Sequence, residues 1–394
     1  MTSVKRWLLP DGVEDILPSE AHKLESLRRE LLDLFESWGY ELVIPPLIEF
    51  LDSLLVGASE DLDLHTFKVT DQVSGKMMGI RADVTLQAAR IDAHSLNREG
   101  QVRLCYADNV LHTRPRGIMT SRVPIRLGAE LYGHASTAAD VELICLMAQT
   151  LRSAGIPGVQ IVLGHVGIFK ALVSEARLNA EAESQLFEAV QRKAYDEIDL
   201  LLDNKVQDSA LKQQFKELIR LSGDESVLAR AQEAFAAASA AVTAELNELN
   251  DIVHGVKRRL GELDLHFDLC ELRGYEYHTG IVFAAYTNEY GRAVAKGGRY
   301  DQLGKAFGRA RPASGFDTDL KVLAQLSERA FARPRGILAP DSDEPSLTLK
   351  VSDLRSQGEK VVTLLGTEDV ANIDVRTMYC DRRLIKRGAA WMVE

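Results

Sequence analysis

The sequence has few cysteines, and no two of them are close together in the chain. Cys105, Cys145, Cys270 and Cys380 lie far apart along the chain. Zinc sites and disulfide scaffolds need cysteines at short, repeated spacings, so neither is predicted. Isolated thiols of this kind are typical of the reducing cytoplasm, where we expect the protein to reside.

Long apolar runs are also missing. No segment is apolar enough to span a bilayer, and the N-terminus does not predict a secretory signal. The formal net charge of −11 does not favour a broad electrostatic contact with nucleic acid. With 394 residues, 46% of them hydrophobic, the chain is long enough for two or three domains with sizeable cores.

Three common signatures of catalysis are absent from the sequence. We find no phosphate-binding glycine loop, no cluster of metal ligands and no nucleophile elbow. These motifs therefore give no candidate catalytic residue, metal or cofactor.

Proline is absent between Pro157 and Pro312. Much of this span, residues 168 to 260, is rich in helix-forming residues and poor in glycine. We predict a helical insertion at about 170–260, broken at Asp203-Asn204 and at Ser222-Gly223-Asp224. Strands are predicted on either side of it, at residues 159–165 and 265–269.

The first regular element is predicted to be a helix that starts near Ser19, whose side chain can cap it. Gly39 ends the helix, since glycine takes the left-handed conformation without steric cost. A strand is predicted at residues 40–44. The unit could be ordinary core packing or a dimer interface. The apolar residues that recur at helical spacing are Leu24, Leu27, Leu31, Leu34 and Trp38.

Asp83 lies where a helix is predicted to begin, after paired strands at residues 67–71 and 76–80. The more common explanation for such a residue is a helix N-cap. The functional alternative is a carboxylate that binds the ammonium group of a ligand.

Arg126 and Glu130 lie on one predicted strand, at residues 123–133. They are an even number of residues apart, so both face the same side of the sheet. Such a charged pair is usually solvated. Glu130 has Ala129 and Leu131 as neighbours, and the alternative for it is a place in a pocket.

The stretch from Leu272 to Asp301 combines strand-like alternation with an unusual density of polar residues. Arg273, Glu276, Tyr277 and His278 would project on both faces of a sheet. The pair Gly297-Gly298 allows a positive φ or a close approach to a ligand. An amphipathic hairpin with a solvated polar face is the simpler alternative.

After a helix that ends near Arg329, a linker at residues 333–335 leads to a small C-terminal domain at 335–394. We predict strands at residues 347–349, 361–365 and 375–379, together with a helix.

Four of these segments resemble, in order, the motifs of the histidyl-tRNA synthetase catalytic core, over residues 1 to about 330. Residues 81–85 are similar to the Arg-Pro-Glu-Gly-Thr motif, and 127–133 to the motif-2 strand that carries a glutamate. Residues 272–277 resemble the histidine-specific Arg-Gly-Leu-Asp-Tyr-Tyr signature, and 297–301 the Gly-Gly-Arg-Tyr-Asp motif. The resemblance implies an α+β fold: a class II synthetase-like antiparallel sheet core flanked by helices, with the helical insertion and a small α/β C-terminal domain.

The sequence departs from that family at the residues that bind ATP. His112 falls near the position of the motif-2 arginine, for which Arg114 is a possible substitute. Val322 replaces the motif-3 arginine, and Asp319 replaces a glycine that gives the nucleotide room. A carboxylate that faces a triphosphate weakens its binding through like-charge repulsion.

The motifs that bind histidine are retained, while the residues that bind ATP are altered. This combination resembles the pattern of the ATP phosphoribosyltransferase regulatory subunits, which are paralogues of the synthetase. That resemblance implies a non-catalytic chain that activates a short catalytic phosphoribosyltransferase, in a hetero-octamer, and mediates feedback by histidine. It also implies a class II-like homodimer that does not bind tRNA.

The same resemblance implies which residues bind histidine. The ammonium group would lie between Asp83 and Glu130, near Thr85, and Tyr277 with Glu276 would meet the imidazole. Arg273 would pair with the carboxylate. The full set of implied histidine-binding residues is Asp83, Thr85, Arg126, Glu130, Arg273, Glu276 and Tyr277.

Two alternatives remain open from the sequence. One is an active histidyl-tRNA synthetase with degenerate ATP motifs, and the other is a synthetase-like binding module of another pathway.

Overall fold

The protein is described here from a computed structural model, in which residues 7–57, 60–115, 117, 120–261, 263–272, 274–275, 277–366 and 368–394 are defined. The chain divides into two compact units, Met1–Arg329 and Ala330–Glu394. None of the helices in these ranges is both long and apolar enough to cross a membrane.

The first unit contains short and long strands from several parts of the chain. They are β1 (Glu41–Leu42), β2 (Ile48–Phe50), β3 (Phe67–Thr70), β4 (Met77–Ile80), β5 (Val102–Asn109), β6 (Ile125–Tyr132), β7 (Gln160–His165), β8 (Ser222–Gly223), β9 (Leu265–Asp268), β10 (Ile281–Thr287), β11 (Tyr290–Arg299) and β12 (Ala313–Asp319).

The helices of this unit are α1 (Pro18–Ser37), α2 (Leu51–Leu54), α3 (Glu60–His65), α4 (Thr85–Arg90), α5 (Thr137–Ser153), α6 (Val166–Glu175), α7 (Ala180–Gln191), α8 (Tyr195–Lys205), α9 (Ser209–Arg220), α10 (Ser226–Ala234), α11 (Ala240–Leu260) and α12 (Leu320–Leu326). A π-helical turn (Ile91–Leu96) follows α4, and a 3₁₀ helix (Leu303–Phe307) precedes β12.

A nine-stranded sheet forms the centre of the first unit, in the order β1-β5-β6-β12-β11-β10-β7-β9-β8. Six neighbouring strands pair antiparallel, in the spatial order β5, β6, β12, β11, β10 and β7. The strands β1 and β9 join this sheet as parallel strands. Three short strands form a separate antiparallel sheet, in the order β2-β4-β3. The predicted α+β architecture with an antiparallel core is therefore confirmed.

The N-terminal helix differs in detail from its prediction. Ser19 does not cap it: the helix begins at Pro18, with Leu17 as N-cap and no side-chain cap. Proline suits this first position because its missing N–H has no helical partner to lose. Gly39 ends the unit as predicted, with a φ of +83°. The strand predicted at 40–44 is only the two-residue β1. The buried face is formed by Leu24, Leu27, Leu31 and Phe35.

The segment between β7 and β9 is helical, from α6 to α11, with only the two-residue β8 between helices. The predicted break at Asp203-Asn204 is wrong by a few residues, because α8 continues to Lys205. The break at Ser222-Gly223-Asp224 does interrupt the helices, at β8.

The second unit is a four-stranded sheet with one α-helix. Its elements are β13 (Gly336–Pro340), α13 (Pro345–Ser356), β14 (Val361–Leu364), β15 (Cys380–Arg387) and β16 (Ala390–Val393), with short 3₁₀ turns at Val370–Asn372 and Val375–Met378. The strand order is β14-β13-β15-β16.

Two strands predicted for this unit are wrong. Residues 347–349 lie in α13, where Leu347, Val351 and Leu354 are buried at helical spacing. Residues 375–378 form a 3₁₀ turn, which Asp374 caps by accepting a hydrogen bond from the Arg376 N–H. The strand expected at 361–365 is present as β14.

All four cysteines are reduced and buried. Burial raises the pKa of the Cys105 thiol to about 12 and that of Cys145 to about 11. These thiols therefore remain protonated at neutral pH.

A buried ion pair connects α5 to the sheet. Arg299, at the end of β11, donates to Asp140 of α5, with 2.6 Å between Nη2 and Oδ2. Ser314 of β12 donates to the other carboxylate oxygen at 2.7 Å, and Asp301 pairs with Arg299 at 3.3 Å. Asp140 thus connects α5 to β11, through the arginine of the Gly-Gly-Arg-Tyr-Asp segment, and to β12, through Ser314.

Replacing Asp140 by alanine is expected to destabilise the protein by about 3–5 kcal/mol, because it removes the shorter ion pair of a buried guanidinium and leaves the pair with Asp301 at 3.3 Å. Chemical denaturation of the variant would measure the loss. Glu25→Ala, which removes an exposed partner of Arg29 on α1, is the control and should change stability little. Equal stability of the two variants would contradict this role of Asp140.

Candidate functional site

A cavity of about 720 Å³ lies against the central part of the large sheet. Its walls come from β6, β10, β11 and β12, from the start of α4, and from the segment around residues 271–278. The sheet therefore provides a rigid base for residues that are far apart in the sequence.

Glu130 is the most buried acidic side chain in this cavity, with 1% of its surface exposed. Its neighbour across the sheet is Gly315 of β12. A Cβ atom at residue 315 would lie 1.8 Å from Glu130 Oε2 and 2.1 Å from the Tyr300 hydroxyl. Only glycine at this position leaves room for both oxygens.

The two oxygens of the Glu130 carboxylate have different surroundings. Oε1 accepts a hydrogen bond from the Tyr106 hydroxyl at 3.0 Å. Oε2 and the Tyr300 hydroxyl are both buried and have no hydrogen-bond partner among the described residues. Buried polar atoms usually have partners, so these two are available to a polar ligand.

Burial raises the pKa of Glu130 well above its usual value of 4.5, and nearby Asp83 and Asp317 add to the effect. The Tyr106 hydrogen bond opposes the shift but does not cancel it. A ligand with a positive charge would reverse this cost, since an opposite charge favours the ionised carboxylate.

Asp83 and Thr85 reach the cavity from the start of α4. The Asp83 carboxylate accepts from the Thr85 N–H at 2.8 Å, so it supports the first turn although Val84 is the formal N-cap. The Thr85 hydroxyl lies 3.4 Å from that of Tyr106, which in turn bonds Glu130. The same aspartate thus holds the backbone and faces the cavity, so both of its sequence interpretations remain compatible with the structure.

Aromatic rings form another wall. The rings of Tyr277 and Tyr300 are 4.9 Å apart, and Tyr277 meets His278 edge-on at 5.1 Å. Burial lowers the pKa of His278 to about 4, while its Nδ1 lies 3.2 Å from the Arg299 carbonyl. This wall is neutral at physiological pH and can accept a planar ring.

Arg126 differs from the other residues predicted for the site. It is not among the described residues that line the cavity, and its Nη1 lies 3.5 Å from Asp317 Oδ2. Asp317 does line the cavity, so Arg126 influences the cavity through its ion pair with Asp317. Arg273 and Glu276, which were also predicted, lie outside the described residues.

The charged residues on the cavity wall are mostly acidic. Lys296 is the one lysine or arginine among the described lining residues. The lining carboxylates are Asp61, Asp83, Glu130, Glu271 and Asp317. This balance favours a ligand that carries positive charge.

The residues that replace the ATP-binding side chains are engaged within the protein. His112 is buried, with its Nε2 3.0 Å from the Ala82 carbonyl. Asp319 caps α12 by accepting from the Lys321 N–H at 3.0 Å, and it also accepts from the Ile125 N–H at 3.3 Å. Neither side chain is arranged as a cationic clamp for a phosphate.

Three contributors to the site were not predicted from the sequence: Tyr106, Tyr300 and Asp317. Tyr106 lies opposite Gly128, where a Cβ atom would come within 2.5 Å of its hydroxyl. The sequence signal that could have indicated such neighbours is the pair of glycines within the motif-2 and motif-3 strands, Gly128 and Gly315. Each one makes room for a side chain on a neighbouring strand.

The Glu130→Gln variant is expected to be more stable than the parent at pH 8 without ligand. The raised pKa of Glu130 means that the folded state binds the proton more tightly than the unfolded state, so parent stability falls as pH rises above about 4.5. Glutamine does not titrate and still accepts from Tyr106. The difference in melting temperature, about 2 °C or more at pH 8, should shrink toward pH 4.5.

Glu142→Gln provides a control of opposite sign. Burial alone would raise the pKa of Glu142, but its hydrogen bonds with Arg103 outweigh burial and the pKa is lowered. Its glutamine variant should therefore be less stable than the parent near neutral pH, with the gap closing in acid. If both variants shifted in the same direction, the proposed electrostatic origin would be wrong.

Comparisons with known proteins agree with this geometry. The family model described as histidyl-tRNA synthetase matches residues 12–323, and the one described as ATP phosphoribosyltransferase subunit HisZ C-terminal domain matches residues 334–394. The ATP phosphoribosyltransferase regulatory subunit of Ectopseudomonas mendocina is 53% identical over 394 residues, which is 100% of this chain and 99% of the relative.

Solved structures extend the similarity to the fold. A Bacillus halodurans structure, titled an ATP phosphoribosyltransferase regulatory subunit/histidyl-tRNA synthetase, is 26% identical with a TM-score of 0.81, over 96% of this chain and 97% of that one. The histidyl-tRNA synthetase of Nostoc sp. PCC 7120 is 18% identical with a TM-score of 0.77, over 96% and 91%.

The class II synthetase-like fold is thus confirmed, and the ATP-binding substitutions fit a chain that regulates rather than catalyses. By full-length similarity to its relatives, the chain belongs to the family of ATP phosphoribosyltransferase regulatory subunits, which is non-catalytic and serves histidine biosynthesis.

Proposed function

We propose that this chain binds histidine in the cavity beside Glu130 and thereby controls a short-form catalytic ATP phosphoribosyltransferase. The observation that carries the proposal is the buried Glu130 carboxylate, with one oxygen that has no partner among the described residues. The names of the relatives support the partner and the pathway. The chain would activate the catalytic subunit and mediate its inhibition by histidine.

The ligand's ammonium group would lie between Asp83 and Glu130, next to the Thr85 hydroxyl. Charge-assisted hydrogen bonds to carboxylates are about twice as strong as neutral ones, so this end anchors the ligand. The imidazole would stack near Tyr277 and meet Glu276, and Arg273 would pair with the carboxylate. Arg126 would contribute through Asp317, which it holds at 3.5 Å.

Regulation requires that histidine binding and the state of the catalytic subunit affect each other. If histidine changes the fit of the two subunits, the partner must change histidine affinity by the same factor. Couplings of this kind are typically about 1–3 kcal/mol, which corresponds to roughly 5- to 150-fold in affinity.

The proposed assembly is a cytoplasmic hetero-octamer that contains homodimers of this chain and does not include tRNA. Support for the homodimer comes from exposed apolar side chains around β1 and β2, where a cluster of this kind on a soluble domain commonly marks an interface. These exposed side chains are Leu42, Ile44, Leu47, Ile48 and Phe50.

A steady-state assay of the short catalytic phosphoribosyltransferase tests the proposal. The rate would be measured with and without this chain, over a titration of histidine. Activation by the chain, reversed by histidine, is the expected result. The contrary outcome is no effect on that enzyme together with histidine-dependent pyrophosphate exchange from ATP by this chain alone, which would identify an active synthetase.

Removing either carboxylate charge should weaken histidine binding. Asp83→Asn and Glu130→Gln are each expected to raise the dissociation constant at least tenfold, because a charged hydrogen bond contributes about 1.5–3 kcal/mol. Isothermal titration calorimetry on the full chain would measure it. Asp33→Asn, at an exposed carboxylate of α1, is the matched control and should bind as the parent does.

Folded Asp83→Asn and Glu130→Gln proteins with parental affinity would exclude this cavity as the histidine site. The assay with the catalytic subunit would then still report whether the chain is regulatory. The two results therefore separate the location of the site from the function.

A further inference from the structure

A second cluster of ionisable groups lies where α11 packs against β7. His165 is the last residue of β7, and Glu245 and Glu248 are three residues apart on α11. Residues at this helical spacing lie on one face, so both carboxylates point toward the same strand end. One ligand atom from each residue can be chosen so that all three lie within 4.8 Å of one another.

His165 is completely buried, with none of its surface exposed. Its Nδ1 lies 3.4 Å from Glu245 Oε2 and its Nε2 lies 3.6 Å from Glu248 Oε1. Neither ring nitrogen makes a hydrogen bond to any described residue. A metal-bound imidazole offers the ion the lone pair of one ring nitrogen.

The backbone near the cluster is built to bring these groups together. A Cβ atom at residue 167 would lie 2.1 Å from Glu245 Oε2, so glycine is needed there for the carboxylate to approach. The two glutamates remain about one-third exposed, which leaves a path from solvent.

We propose that His165, Glu245 and Glu248 bind a divalent transition-metal ion such as Zn²⁺. An imidazole nitrogen and two carboxylate oxygens are ordinary zinc ligands, at about 2.0–2.2 Å from the ion. Two ligand atoms on one tetrahedral ion are then about 3.4 Å apart, which matches the contact between His165 and Glu245. Solvent would complete the coordination on the exposed side.

The charges around the cluster agree with a dication. The ligand atoms of the two glutamates lie within 4.8 Å of one another, and a dication between them would remove their mutual repulsion. Arg299 approaches from the side of Gly280, but its guanidinium is bound by Asp140 at 2.6 Å.

One ring nitrogen of His165 would bind the ion together with one carboxylate oxygen from each glutamate, and the other ring nitrogen would keep its proton. The ion would connect β7 to α11, and it would stabilise the folded chain by mass action. The four buried cysteines do not compete for it.

Zinc titration of the full chain, after treatment with a chelator, tests the proposal. Calorimetry should give one Zn²⁺ per chain, and the melting temperature should rise with Zn²⁺ concentration. Mg²⁺ should bind far more weakly, because it prefers oxygen ligands and retains its waters. Glu245→Gln and Glu248→Gln should each weaken Zn²⁺ binding at least tenfold while the protein stays folded.

Asp251→Asn, at an exposed carboxylate of the same helix, is the matched control and should bind Zn²⁺ as the parent does. The proposal is overturned if the parent shows no saturable Zn²⁺ binding. It is equally overturned if both glutamine variants, folded by circular dichroism, bind like the parent, since the ion would then be held elsewhere on the surface.

Discussion

The cavity depends on one costly arrangement, a carboxylate held inside the central sheet with only half of its hydrogen-bonding capacity used. Glu130 is supported by Tyr106 on one oxygen, and Gly315 leaves the space into which the other oxygen projects. An ionised group in such a place destabilises the free protein unless a cation arrives. The register of β5, β6 and β12 fixes the positions of Tyr106, Glu130 and Gly315 relative to one another. The sheet therefore holds the carboxylate in a place that favours a positively charged ligand.

In the part of the chain that the structure describes, two residues at the altered ATP-binding positions have contacts within the protein. Asp319 serves as a helix cap, and His112 lies with its Nε2 against a backbone carbonyl. Each of these two substitutions therefore has a local structural role. Function resides in the site rather than in the fold, so a class II synthetase-like fold can occur in a family that is non-catalytic.

The elements that depend on local interactions were predicted correctly from the sequence. Gly39, β7 and the helical segment between β7 and β9 followed from glycine stereochemistry and from periodicity. Errors arose where a neighbour was decisive: residues 347–349 alternate like a strand, yet they complete the buried face of α13. In the cavity, Glu130 was visible from its motif, but its partner Tyr106 depends on strand register, which a single sequence does not specify. The pairing of Arg126 with Asp317 joins two neighbouring strands, so a single sequence does not specify it either.

The buried cysteines have a practical consequence for studying such a chain. Their thiols are kept out of solvent, and those of Cys105 and Cys145 have a pKa several units above neutrality, so the thiolate that reacts with electrophiles is scarce in the folded state. A cysteine introduced on the surface would be the most reactive thiol by a wide margin. Fluorescent or spin labels could therefore be attached at chosen positions in the otherwise native sequence, and movements between subunits could be followed without first removing the natural cysteines.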